Sequence, residues 1–143
     1  MRKNRARSER ALIGAIADLI SFELRIVSYT LYFDAVCEED YPELADTIKR
    51  FGAEHSDNIK LLERSVASFG ALPSLSIRTG TLTCEERDCE SLIKKLIEDE
   101  NEVALRYERI YLLDSRELFS DSVKKILRAS MERLSMLETI LKT

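Results

Sequence analysis

The stretch Gly70-Ala71-Leu72-Pro73-Ser74-Leu75-Ser76-Ile77-Arg78-Thr79-Gly80-Thr81-Leu82-Thr83 has no helical periodicity, in a chain otherwise built on three- and four-residue apolar spacing. Gly70 fits the C-cap of a helix that ends before it, and Pro73 prevents that helix from resuming. Thr83 followed by Glu85 and Glu86 reads as an N-cap with acidic residues in the first turn of the next helix. A connection of a dozen or more residues, at about 3.3 Å per extended residue, can run the ~40 Å length of a bundle of long helices.

Two helices are expected on either side of this connection. The first runs from about Ser8 to Cys37, with Leu12, Ile16, Leu19, Ile26 and Phe33 on one stripe. Tyr41-Pro42 interrupts it, because proline suits a first helical turn and not a helix interior. The second runs from about Pro42 to Phe69 on Leu44, Ile48, Phe51, Leu62, Val66 and Phe69. The third is expected from about Cys84 to Asp114 on Ile93, Leu96, Val103, Tyr107 and Ile110. After a break at Ser115 to Ser120 comes the fourth, from about Asp121 to Leu141, on Val123, Leu127, Leu134, Leu137 and Leu141. Short links within each pair make two antiparallel hairpins. The long middle connection favours a crossover between helices 2 and 3; an up-down-up-down bundle with a long loop stays open.

Composition agrees with an all-α chain. Among 143 residues there are only four Gly, two Pro and no Trp, too little turn chemistry for a β-rich fold, and the length reads as one domain over 1–143. The net charge of −4 makes a general nucleic-acid binder unlikely, although Arg2, Lys3, Arg5 and Arg7 give residues 1–7 the character of a basic, disordered arm. No apolar run approaches the ~20 residues that cross a bilayer, and no secretory pattern is visible, so a soluble cytoplasmic protein without membrane association is expected. Cys37, Cys84 and Cys89 cannot all pair, and their number suits a reducing compartment; Cys84 and Cys89 read as two ordinary thiols, with metal binding or oxidation of that pair as the alternative.

Polar residues interrupt the stripes near mid-helix. Glu23 lies between Leu19 and Ile26, His55 follows Phe51 by four, and Asn58 precedes Leu62 by four. Glu100 lies between Leu96 and Val103, while Ser130 and Arg133 continue the stripe from Leu127. In an antiparallel bundle such positions meet in one layer.

On these residues the sequence resembles the ferritin-like superfamily, rubrerythrins and bacterioferritins in particular. Ser21-Phe22-Glu23-Leu24, followed by Tyr29 and Tyr32, is similar to the segment that carries the first ligand glutamate, and Glu100 with Tyr107 is similar to the third-helix glutamate and its tyrosine. The resemblance implies an antiparallel four-helix bundle with a long crossover between helices 2 and 3, and a di-iron centre of two glutamates and two Glu-x-x-His pairs. It places those pairs on His55 and Asn58, counting from Leu61-Leu62-Glu63 and Gly70, and on Ser130 and Arg133, counting from Leu137-Glu138-Thr139. Both pairs are therefore substituted, leaving Asn58, Ser130 and Arg133 as vestigial ligand positions. A slipped register would recruit Glu54 and Asp57 instead.

The expected chemistry follows from the substitutions. A guanidinium stays protonated and cannot ligate a metal, so Arg133 is expected to replace metal as the counter-ion of Glu23 and Glu100 in a non-catalytic protein without cofactor. The alternative is one Fe, Mn or Zn ion on Glu23, His55 and Glu100, or a divergent rubrerythrin-type oxidoreductase in iron or oxidative-stress metabolism, which would be metal-dependent. Histidine phosphotransfer through His55 is not expected, because its stripe turns it inward. A homodimer through Tyr29, Tyr32, Tyr111 and Phe119 is the expected assembly, and any redox partner is unknown.

Overall fold

The apolar stripes become helices at four places in the computed structural model, which describes residues 2–69, 88–114, 117 and 119–142. Helix α1 is Arg2–Cys37, α2 is Ala45–Ser68, α3 is Cys89–Leu113 and α4 is Ser120–Lys142; a single 3₁₀ turn, Pro42–Leu44, leads into α2. Helix α1 starts at Arg2, not near Ser8, so the basic run expected to be a disordered arm is helical.

Helix α3 starts at Cys89, five residues later than its expected start at Cys84. Asp88 is the N-cap: its backbone is extended, and its carboxylate accepts from Ser91 N at 2.8 Å and Ser91 Oγ at 2.9 Å. The expected cap, Thr83, lies outside the described residues. At the other end of α3 the link to α4 is organised by Asp114, which is buried and whose Oδ2 accepts from Phe119 N at 2.7 Å. Glu117, within this link, takes the left-handed conformation, φ 55°.

Partner residues give the directions. Glu23 meets His55 while Thr30 lies against Gly52, so α1 and α2 are antiparallel. Arg25 meets Asp99, and Cys37 meets Cys89, so α1 and α3 are antiparallel too. Helices α2 and α3 therefore run parallel. The chain leaves α2 at Phe69, whose ring centroid is 6.2 Å from that of Phe119, and re-enters at Cys89 beside Cys37, at the opposite end. This is the crossover topology; its connecting residues, 70–87, lie outside the described residues. Arg133–Glu54 and Arg50–Met136 contacts complete an antiparallel α2–α4 pair.

The core runs the length of the bundle, from Leu12, Ile16 and Ile110 past Ile26, Leu96 and Val103 to Phe33, Ile48 and Leu92. At about 25 cal/mol per Å² of apolar surface removed from water, such burial is the main favourable term in folding. One layer of that core is polar.

Candidate functional site

Four helices each contribute a polar side chain to this layer. Glu23 on α1, His55 on α2, Glu100 on α3 and Ser130 with Arg133 on α4 are each no more than 2% exposed. All five were legible as stripe positions. Asn58 was not well placed by the same reasoning: it is half-buried, and Ile59 beside it, 8% exposed, takes the core position.

His55 lies between the two carboxylates. Its Nδ1 is 2.8 Å from Glu23 Oε2 and its Nε2 is 2.8 Å from Glu100 Oε2. With a carboxylate oxygen at each ring nitrogen, the arrangement suits a ring protonated on both nitrogens and donating on both sides. Burial pushes His55 towards its neutral form, but the charges and hydrogen bonds of Glu23 and Glu100 outweigh it and raise its pKa to about 9.

Glu100 is the hub. Its Oε1 accepts from Ser130 Oγ at 2.8 Å and from Arg133 Nε at 2.9 Å. Arg133 Nη2 is 2.8 Å from the same oxygen, as an ion pair off the hydrogen-bond direction. Burial pushes the Glu100 carboxyl up; His55 and Arg133 overcome this and hold it down at about 2. Arg133 Nη1 then donates to Glu54 Oε2 at 2.7 Å, where Glu54 is 40% exposed. Burial opposes the Arg133 charge, but Glu100 and Glu54 hold the guanidinium firmly protonated.

The layer thus sets two basic side chains, His55 and Arg133, against two buried acidic ones, Glu23 and Glu100, with Glu54 at the rim. Tyr107 on α3 lies beside Glu23, and burial together with that carboxylate pushes its phenol well above the ordinary value. Tyr107 OH and Glu23 Oε1 are both buried without an aligned hydrogen-bond partner among the described residues.

The donor set does not fit two bridged irons. Around Glu23 and Glu100 stand an imidazole, a hydroxyl and a guanidinium, and the Arg133 charge has the wrong sign for a cation site. Nor do Glu23, His55 and Glu100 converge as placed, because the carboxylates sit on opposite edges of the ring. Among the described residues no group of three or more His, Cys, Asp or Glu side chains is arranged to hold a metal ion.

Some participants were missed or misassigned in the sequence. Glu54 lies one residue off the stripe and joins the layer by accepting from Arg133; Asp57 is exposed. Asp99, 2% exposed, forms ion pairs with Arg25 at 3.4 Å and Lys95 at 3.5 Å, and burial raises its pKa despite them. Its signal was present, since Leu92, Leu96, Asp99 and Val103 are spaced as a helical face.

Cys37 and Cys89 are disulfide-bonded, which corrects the reading of Cys89 as an ordinary thiol. Cys84 lies outside the described residues. Of the aromatic residues assigned to an interface, Tyr29 is buried in the core and Phe119 packs on Phe69; Tyr32 and Tyr111 are each 42% exposed.

No family model matches the sequence, and no curated protein matches it. Among solved structures the chain is similar to one described as ferritin-like, diiron-carboxylate proteins from Bacillus anthracis str. Ames, with a TM-score of 0.82, 94% of this chain and 97% of that chain covered, and 12% identity. The fold is that of the ferritin-like four-helix bundle. No helix among the described residues is long and apolar enough to cross a membrane.

Proposed function

We propose that Glu23, His55, Glu100 and Arg133 form a structural ion-pair layer that takes the place of metal in a ferritin-like bundle, and that the protein is non-catalytic. The observation that carries this reading is the Arg133 guanidinium, 2.8 to 2.9 Å from Glu100 Oε1 and 2% exposed. A buried cation in hydrogen-bond contact with the would-be ligand stabilises its carboxylate as a metal would, and electrostatically repels any incoming metal ion.

A second reading, one Fe, Mn or Zn ion on Glu23, His55 and Glu100, draws support from Glu23 Oε1, buried without an aligned partner. It requires His55 to lose a proton and turn. Elemental analysis of the protein as purified separates the two. The ion-pair layer predicts no stoichiometric metal and a melting temperature indifferent to chelators; one ion per chain, lost in His55→Ala, supports the mononuclear site. Two irons per chain with oxygen-dependent colour would restore a rubrerythrin-type oxidoreductase.

The assembly we propose is a homodimer. Its support is apolar surface on α1 and α3, where Leu31, Leu105 and Leu112 are 76%, 60% and 81% exposed. Sedimentation equilibrium giving a monomer throughout the micromolar range would remove the dimer.

A further inference from the structure

The last residue of α1 and the first of α3 are both cysteines, and they are bonded: Cys37 and Cys89, separated by 52 positions in sequence, have Cα atoms 4.9 Å apart. That spacing is ordinary for a disulfide. Both residues are buried, yet both stand at helix termini, where local opening costs least.

The rest of the α1–α3 contact does not depend on this link. Arg25 reaches Asp99 at 3.4 Å, and Phe33, Ile26, Leu92 and Leu96 belong to one continuous core. The start of α3 is independently fixed by Asp88, through Ser91 N and Oγ. These contacts hold α1 to α3 besides the disulfide.

We propose that Cys37–Cys89 is a reversible thiol–disulfide site: oxidised, it locks the end of the bundle where α1 meets α3; reduced, it leaves the bundle folded but less stable. The reactant class is a dithiol. One of its thiolates attacks a protein sulfur, the S–S bond breaks, and the other protein sulfur leaves as a thiolate that takes a proton. The second thiol of the reductant then attacks the mixed disulfide, releases the second protein thiol and departs as a cyclic disulfide. The protein gains two electrons and two protons. Reoxidation by a low-molecular-weight disulfide reverses each step.

The closed link encloses all of α2 and restricts the unfolded chain accordingly. It also ties α1, which carries Glu23, to α3, which carries Glu100, at a point roughly 20 Å along the bundle from the polar layer. The proposal does not rest on the reading of that layer.

The test uses the full chain with Cys84→Ser, so that only one intramolecular pairing exists. After equilibration with oxidised glutathione, non-reducing peptide mapping should give the Cys37–Cys89 linked peptide in a chain with no free thiol. Dithiothreitol should then lower the melting temperature by on the order of 10 °C while helical circular dichroism persists at room temperature, and reoxidation should restore it. The double variant Cys37→Ser/Cys84→Ser should melt like the reduced protein whether or not dithiothreitol is present. Two free thiols in the oxidised, folded protein, or an unchanged melting temperature on reduction, would overturn the proposal. Loss of helix at room temperature on reduction would overturn its reversible character.

Discussion

Arg133 donates from Nε to Glu100 Oε1 at 2.9 Å, and both side chains are almost wholly removed from solvent. Removing one partner of such a pair leaves the other charge buried, which costs more than the pair contributes when intact. Arg133→Met should therefore destabilise the fold by about 3–5 kcal/mol in urea denaturation. Glu100→Gln together with Arg133→Met should cost less than the two single changes added, by about 1 kcal/mol or more. Strict additivity would show that the two side chains do not act as a pair.

The layer sets a pH window for stability. His55 holds its proton more tightly folded than unfolded, so its contribution is complete below its ordinary value of 6.5 and is lost as pH rises through about 9. Glu100 is the opposite case: its contribution is complete above 4.5 and is lost as pH falls through about 2. Urea midpoints measured against pH should plateau between 4.5 and 6.5, and the fall from 6.5 to about 9 seen in the wild type should be absent in His55→Gln.

Helices α1 and α2 approach closely at Gly52, where an added Cβ would lie 2.5 Å from Thr30 Oγ1. Thr30 is itself held by its hydroxyl bond to Val27 O at 2.7 Å. Gly52→Ala should cost about 1–3 kcal/mol by overpacking. Adding Thr30→Ala should recover most of that loss; if it does not, the crowding lies elsewhere.

Asp114 terminates α3 and positions Phe119 ahead of α4. Asp114→Ala removes the acceptor of Phe119 N and should cost about 1–2 kcal/mol. Asp114→Asn keeps an acceptor and should cost less, as read by thermal melting.

The helices and the polar layer were legible because both depend on spacing. Leu19, Glu23 and Ile26 on α1, and Leu96, Glu100 and Val103 on α3, share one face whatever they touch. The partners were legible only in part: Arg133 was expected beside both Glu23 and Glu100, and it meets Glu100 but not Glu23, which His55 takes. Nothing in spacing says that Arg133 would reach Glu54, since that contact crosses from α4 to α2 and depends on how far apart those helices stand. The Cys37–Cys89 bond was hidden for a related reason: it depends on where α3 begins, and Thr83 offered a cap as plausible as Asp88. Asn58 was misplaced by the drift of a 3.6-residue helix against a count of four.

His55 is the chain's single histidine, so its imidazole ¹⁵N signals need no assignment. An imidazolium clasped between Glu23 and Glu100 should show both ring nitrogens protonated at neutral pH, with one titration near 9. A neutral ring with one bare nitrogen at neutral pH, or a nitrogen shifted by a bound metal ion, would contradict the ion-pair layer.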